Sequence, residues 1–271
     1  MNIVPSSFKT VTMDIKIGLK LYSTNIGLIN AAEKLYHEDV IQYIECYALP
    51  GSYISTIRSW RNCCVPLVIH APHSVHGVNL ADANKKRENL IHLKDVQLFA
   101  DNLGVDIIII HGGHSGKIDE TLHQIALLND NRFYLENKPP LGLNNKPCVG
   151  WSPEEFSQAL HSGILAGTVL DFGHAACAAF SLKKEALELV HEFLKFKPRL
   201  FHIADSQANS AQDCHLHLGK GNLDIGAFLS VLTPNDMLTL ETPRSGPSVL
   251  DEFIEDVQFV RDFFQIEGGG G

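Results

Sequence analysis

The chain has 271 residues, a formal net charge of −9, and hydrophobic residues making up 45% of the total. This size fits two average domains or one large barrel, and the hydrophobic fraction is ordinary for a globular protein. The negative charge excludes a surface that is basic overall. Residues 1–22 lack the apolar segment of a secretory signal, and no apolar run is long enough to cross a bilayer. We therefore expect a cytoplasmic protein without membrane association.

Histidine and cysteine are the residue types that bear on chemistry and cellular compartment. Fourteen histidines are unusually many for this length. The six cysteines, at positions 46, 63, 64, 148, 177 and 214, form no CxxC pair. We interpret them as reduced thiols, as in a cytosolic protein.

Eight short runs, rich in apolar and β-branched residues, predict strands. Nearly continuous apolar runs are typical of strands that are buried on both faces. The predicted strands cover residues 15–20, 43–48, 66–71, 106–113, 132–137, 167–174, 200–206 and 237–243.

Amphipathic segments between these runs predict helices. One of them ends at Gly104, and another opens with Ser152 as a cap followed by Pro153, which are typical helix end signals. The predicted helices cover residues 28–38, 53–61, 85–104, 152–163, 183–196, 224–232 and 248–264.

Regular alternation of eight strands with helices predicts an α/β fold of the (β/α)₈ TIM-barrel type, because such barrels need roughly 250 residues. An open, doubly wound sheet is the alternative. The sequence shows no linker or composition break, so residues 1–265 are predicted to form one domain. Residues 266–271, IEGGGG, are predicted to be a flexible tail or an expression remnant.

Acidic and imidazole side chains collect at the predicted carboxyl ends of the strands, where barrels of this type carry their active sites. The stretch DCHLHLGKGN follows the seventh strand, and an extended backbone would place Asp213, His215 and His217 on one face. The strand ends contribute His70, His111, His114, Glu136, Asp171, His174, His202, Asp205 and Glu241.

The buried carboxylates of this set require a compensating cation. Glu136 and Glu241 lie in apolar runs, and an unpaired buried carboxylate is costly. Apart from Arg244, the neighbouring strand ends are expected to offer no lysine or arginine, which makes a metal the simpler cation. Histidine and carboxylate ligands without ordered cysteines favour Zn²⁺ or Mn²⁺.

Three blocks carry a resemblance to a known family: GTVLDFGHAACAAFSL, then FHIADSQ followed by DCHLHLGKGN, and LTLETP. In these blocks the chain resembles the endonuclease IV family, AP endonuclease family 2, within the xylose isomerase-like barrel superfamily. The resemblance extends over about residues 66–243. It implies a DNA-repair hydrolase that cleaves DNA at abasic sites with up to three Zn²⁺ ions, which Mn²⁺ or Fe²⁺ could replace.

By that resemblance, all nine ligand positions of the family are filled. His70 and His111 would hold one metal and share Glu136 with a second. Asp171, His202 and Glu241 would complete the second site, and His174, Asp213 and His215 would form the third. Glu136 and Glu241 would be the catalytic carboxylates. Substrate-binding or outer roles are predicted for His73, His114, Asn137, Asp205, His217, Lys220 and Arg244.

The charges of this ligand set favour an anionic substrate. Four ligand carboxylates contribute −4 and three divalent ions contribute +6, which leaves +2 inside a chain of net charge −9. The implied reaction is attack of a metal-activated water on a phosphodiester.

Several departures from the family pattern concern substrate choice. His73 and Ser74 stand where a large apolar wedge would enter DNA. The loop CYALPGSY lacks the expected basic residue, NKPP replaces Asn-Thr-Ala-Gly, and Gln207 replaces a frequent lysine. The ligand positions are unaffected.

Two alternatives therefore stay open. A sugar or sugar-phosphate isomerase or epimerase of the same superfamily would use one metal, held by Glu136, Asp171, His202 and Glu241, with the two glutamates moving protons. A degenerate barrel would bind a small molecule without catalysis. The predicted partner is abasic DNA or a phosphorylated or sugar-like small molecule, and no protein partner is indicated.

Overall fold

The computed structural model describes residues 14–142, 145–246 and 249–268 of the chain. Eight parallel strands close into a barrel in which each strand pairs with its sequence neighbours and β1 pairs with β8. Closure confirms the predicted TIM barrel and excludes the open sheet. The strands are β1 (Lys16–Tyr22), β2 (Tyr43–Tyr47), β3 (Leu67–His70), β4 (Ile108–His111), β5 (Phe133–Glu136), β6 (Gly167–Asp171), β7 (Leu200–Ile203) and β8 (Met237–Leu240).

Helices follow the strands around the outside of the barrel. The helix after β4 has no counterpart among the predicted segments, and β6 is followed by two helices where one was predicted. The helices are α1 (Ile29–His37), α2 (Tyr53–Arg61), α3 (Lys86–Leu103), α4 (Ile118–Ala126), α5 (Pro153–His161), α6 (Phe172–Leu182), α7 (Ala186–Leu194), α8 (Ile225–Leu229) and α9 (Asp251–Gly268).

The predicted strand 167–174 is three residues too long. The Asp171 carboxylate accepts a hydrogen bond from the His174 backbone N–H at 2.6 Å and so caps α6. Aspartate is a favoured N-cap and the following alanines favour helix, so the strand ends at Asp171. His174 therefore lies in the first turn of a helix and not in a strand.

The chain ends also differ from prediction. Helix α9 continues through Gly268, so residues 266–268, predicted as tail, are helical. Residues 1–13 of the predicted domain and residues 269–271 of the predicted tail lie outside the described residues. The predicted start of the last helix, residue 248, lies outside them as well, and α9 begins at Asp251.

The inside of the barrel changes from apolar to polar along the strands. At one level, apolar side chains pack into a cluster of Tyr43, Val68, Ile107, Ile109, Val169, Leu200, Tyr134 and Met237. Because strand side chains alternate, the residue two positions further along each strand shares the inward face. On β3 this step leads from Val68 to His70, and on β7 from Leu200 to His202. His70 and His202 therefore belong to a polar layer at the carboxyl ends of the strands, here called the rim. This layer lies next to the apolar cluster inside the barrel.

Within the described ranges, no helix combines the length and apolarity needed to cross a membrane.

Candidate metal centre

The rim brings the nine predicted ligand residues into three groups. In each group the candidate ligand atoms lie within 4.8 Å of one another. Glu136 belongs to two groups, as a shared ligand would. The groups are His70–His111–Glu136, Glu136–Asp171–His202–Glu241 and His174–Asp213–His215.

The first group surrounds one carboxylate oxygen. Glu136 Oε2 lies 3.1 Å from His70 Nε2 and 2.9 Å from His111 Nε2. His70 Nδ1 donates to the backbone carbonyl of Ala71 at 2.7 Å, since a carbonyl can only accept. In neutral His70 the proton is therefore on Nδ1, and Nε2 presents a lone pair to the carboxylate. A cation between Nε2 and Oε2 would satisfy both atoms.

The second group contains buried polar atoms without hydrogen-bond partners. Glu136 Oε1 and His202 Nδ1 lie 3.5 Å apart, and neither has a hydrogen-bond partner among the residues that the structure describes. His202 Nδ1 also lies 2.8 Å from Glu241 Oε1. Burial raises the pKa of the Asp171 carboxyl to about 6; His174 opposes this, while Asp213, Glu241 and Glu136 add to it. This crowding of carboxylates fits a site for a divalent cation.

The third group depends on two anchored imidazoles. His174 Nδ1 donates to the Asn137 carbonyl at 2.8 Å, and His215 Nδ1 donates to the Glu241 carbonyl at 3.0 Å. Both rings therefore turn Nε2 toward Asp213, whose Oδ2 lies 2.7 Å from His215 and 3.7 Å from His174. Two imidazole nitrogens and a carboxylate are a suitable donor set for Zn²⁺.

The backbone of DCHLHLGKGN is not extended throughout. His215 has a φ of +43°, which bends the chain between Asp213 and His217. His217 consequently bonds through Nδ1 to Asp256 of α9 at 2.8 Å. The prediction of one shared face for the three side chains is wrong, because the bend removes the alternation that an extended strand imposes.

The sequence did not lead us to predict two further residues that lie at the rim. These are Lys20 of β1 and Glu45 of β2. The Lys20 ammonium contacts Glu45 Oε1 at 3.1 Å and also contacts Glu241, so the expectation that no lysine reaches this rim is wrong. Burial alone would raise the pKa of the Glu45 carboxyl, but His202 and Lys20 lower it to about 2. Glu45 follows Tyr43 by two residues, so a strand places both side chains on the same face. This spacing was the sequence signal that could have placed Glu45 inside the barrel.

Two adjoining cavities open over the three groups. A cavity of about 650 Å³ is lined by His73 and Arg244, together with Lys20 and Tyr47. A neighbouring cavity of about 590 Å³ is lined by His114 and Lys146. The shared wall consists of His73, Val75, His111, Lys138, His174 and His215.

Other residues predicted to contact substrate lie outside the walls of these two cavities. Buried Asp205 accepts hydrogen bonds from the backbone N–H groups of Ser206, Gly221 and Leu223. Buried Asn137 bonds through its amide to both backbone groups of Asp171.

His217 and Lys220 are placed outside the cavity walls as well. His217 is tied to Asp256, and Lys220 is exposed and donates its backbone N–H to the His217 carbonyl. These contacts organise the loop after β7, and the substrate roles predicted for His217 and Lys220 stay predictions.

The fold and the rim together define a (β/α)₈ barrel with histidine–carboxylate clusters at the carboxyl ends of its strands. The chain belongs to the xylose isomerase-like TIM barrel family, whose family model matches residues 57–263.

Known proteins similar to this chain carry different names. A probable endonuclease 4 of Nitratidesulfovibrio vulgaris strain DP4 is 29% identical in an alignment of 179 positions, which covers 55% of this chain and 61% of that protein. Endonuclease IV of Thermus thermophilus superposes with a TM-score of 0.70 at 23% identity, covering 92% of this chain and 98% of that one. A D-tagatose 3-epimerase-like protein superposes with a TM-score of 0.64 at 18% identity, covering 93% and 97%. The structural similarities show a shared fold, and the names include both a nuclease and an epimerase.

Proposed function

We propose that this protein is a metal-dependent phosphodiester hydrolase of the endonuclease IV type, which cleaves DNA at abasic sites. The observation that supports this proposal most strongly is the third group, His174–Asp213–His215, which is present in addition to the two groups that share Glu136. A one-metal barrel enzyme has no need for this additional anchored set. Up to three Zn²⁺ ions would be held by the three groups, with Mn²⁺ or Fe²⁺ as substitutes.

The bound metals would supply Lewis-acid activation of water and charge neutralisation at the phosphate. The chain's own contribution is the placement of donors. Glu136 directs Oε2 toward His70 and His111, and directs Oε1 toward His202. Glu136 would therefore contribute a ligand oxygen to each of the two groups and would help to orient the nucleophilic water.

Basic residues along the two cavities fit a chain of phosphates. Arg244 lines one cavity, Lys146 lines the other, and Lys138 lies in their shared wall. Cations on both sides of the ligand groups would hold the phosphates that flank a scissile bond. Buried Arg244 Nη1 has no hydrogen-bond partner in the described part of the chain, which leaves it available to an anion.

A second candidate is a sugar or sugar-phosphate isomerase or epimerase that uses one metal. The favouring observation is the approach of two glutamates to one imidazole nitrogen, with Glu241 at 2.8 Å and Glu136 at 3.5 Å from His202 Nδ1. Two carboxylates at one cation could move protons beside a bound carbonyl. This function leaves His174, Asp213 and His215 without a metal role.

The direct test is cleavage of a labelled duplex that contains one tetrahydrofuran abasic-site analogue. We expect cleavage by the Zn²⁺-loaded protein, none after chelation, and none of a matched intact duplex. The variant His191→Ala, which removes an exposed histidine of α7, is the control and should cleave normally.

The same preparation is assayed for interconversion of ketohexoses and their phosphates by chromatography. Sugar interconversion without cleavage of the abasic duplex would replace the hydrolase with the second candidate. Absence of both activities from fully metal-loaded protein would contradict both proposals.

A further inference from the structure

Three of the five histidines of the candidate metal centre are oriented by a hydrogen bond from their second ring nitrogen. For His70, His174 and His215, Nδ1 donates to a backbone carbonyl, so Nε2 faces the candidate metal position. Such bonds fix the tautomer and the ring orientation of a ligand histidine. His202 differs from these three, because its Nδ1 faces the other candidate ligands and its Nε2 points to a side chain.

That side chain is Glu45, which lies in the barrel interior with no solvent exposure. Its Oε2 accepts hydrogen bonds from His202 Nε2 and Thr239 Oγ1, both at 2.8 Å, and its Oε1 lies 3.1 Å from the Lys20 ammonium. The Thr239 hydroxyl in turn accepts from the Tyr43 hydroxyl at 2.8 Å. A carboxylate that faces three donors acts as an acceptor, so the proton of neutral His202 must reside on Nε2.

We propose that Glu45 is a positioning residue, which holds His202 in the Nε2–H tautomer and directs Nδ1 toward Glu136, Asp171 and Glu241. Lys20 neutralises the buried carboxylate that performs this task. Glu45 thus serves His202 as the backbone carbonyls serve His70, His174 and His215. This inference rests on the proposed function, because it assumes that the second group binds a metal.

A fourth metal at Glu45 is the competing interpretation. Candidate ligand atoms of Glu45, His70 and Glu241 also lie within 4.8 Å of one another. The Lys20 ammonium, however, contacts both of these carboxylates, so the position already has a cation. The pair of Lys20 and Glu45 is neutral overall, and it leaves the charge of the three-metal site unchanged.

The test compares Zn²⁺ affinity of three forms by competition with a chromogenic chelator. Glu45→Gln keeps an acceptor oxygen but loses the charge, whereas Lys20→Met/Glu45→Leu removes the acceptor together with the ammonium group that pairs with it. We expect one of three Zn²⁺ equivalents to bind about 10-fold to 100-fold more weakly in the double variant, and by a smaller factor in Glu45→Gln. Because loss of Lys20 releases Glu241, the lysine change alone would strengthen this site, so the weakening is attributable to Glu45.

The matched control is Asp256→Asn, which alters a carboxylate–histidine pair of the same 2.8 Å length outside the ligand groups. Its three Zn²⁺ equivalents should bind as in the wild type. Thermal midpoints of the metal-free proteins are measured in parallel.

The outcomes separate this inference from the proposed function. If the wild type binds three equivalents and the Glu45 variants bind them equally tightly, the positioning role is refuted while the hydrolase proposal stands. If the metal-free Glu45 variants have lower thermal midpoints but unchanged Zn²⁺ affinities, Glu45 contributes only to packing and the positioning role is likewise refuted. If the wild type itself binds no metal at the second group, the proposed function fails first.

Discussion

The position of one proton decides what each rim histidine can do. His174 and His215 each commit Nδ1–H to a backbone carbonyl, so Nε2 of both rings faces Asp213. The sequence predicted both residues as ligands through family resemblance, but which nitrogen is presented depends on carbonyls 37 and 26 residues away along the chain. Such pairings lie beyond what a local pattern contains.

His215→Ala is predicted to remove the third metal. The substitution deletes one nitrogen of a three-donor group, which leaves His174 and Asp213 as an incomplete site. We expect Zn²⁺ content to fall from three to two equivalents per chain, and abasic-site cleavage to fall at least about 100-fold. Elemental analysis of the purified variant measures the first quantity, and single-turnover cleavage measures the second.

The control lies two residues further along the same stretch. His217 is bonded to Asp256 outside the ligand groups, so His217→Ala should retain three equivalents. Equal metal loss in both variants would show that the loop, and not the His215 nitrogen, determines occupancy.

At the scale of elements, the loop after β7 is held by one buried carboxylate. Asp205 accepts three backbone N–H groups, two of which come from the far end of the loop at Gly221 and Leu223. A Cβ atom at Gly221 would overlap both the Asp205 carboxylate and the Ser206 carbonyl. The glycine therefore permits the close approach that brings Asp213 and His215 to the rim.

Gly221→Ala is predicted to destabilise this loop and weaken the third metal site. Overpacking against a backbone carbonyl costs about 1–3 kcal/mol, because the carbonyl cannot rotate away as a side chain would. Urea unfolding measures the free energy of unfolding, and elemental analysis measures the metal content.

Gly27→Ala is the matched control for this substitution. A Cβ at Gly27 would contact nothing within 4 Å, and the free energy of unfolding should change by less than about 0.5 kcal/mol. A Gly221→Ala protein as stable as the control, with three bound metals, would contradict the role assigned to Asp205.

Element prediction succeeded where the pattern was regular, but it missed α4 and extended several strands too far, of which β6 is the most informative. A run of apolar residues from Gly167 continues into α6 without a break in hydrophobicity, since α6 is buried almost throughout. Periodicity cannot separate a buried strand from a buried helix. The Asp171 cap marks the boundary, and its carboxylate is recognisable as a cap only once the His174 N–H is seen to bond to it.

At the scale of the whole molecule, we expect the polar rim to lower stability when no divalent cation is bound. Glu136, Asp171 and Glu241 are closely spaced carboxylates at the mouth of an apolar barrel, with Asp213 beside them. Lys20 compensates part of this charge, and the remainder fits bound divalent ions. Folding and metal binding should therefore be coupled thermodynamically.

Metal removal is predicted to lower the thermal midpoint. Ligand present at 1,000 times its dissociation constant stabilises a folded protein by about 4 kcal/mol, which for this chain corresponds to a shift on the order of 10 °C. Calorimetry before and after chelation measures the shift, and added Zn²⁺ should reverse it. A midpoint that does not change on chelation would contradict occupancy of the rim.

Strand number and the acidic and imidazole residues at the strand ends followed from local patterns, because periodicity and motif spacing are carried by neighbouring residues. The choice of ligands among those residues followed from the family resemblance. The partners of those ligands depended on closure of the barrel. Lys20 meets Glu241 across 221 residues, and Glu45 meets His202 across 157, only because β1 pairs with β8 and the interior is narrow enough for side chains to cross it. Compensation of buried charge is a three-dimensional property, so the candidate ligands were accessible from the sequence while the residues that orient and neutralise them were not.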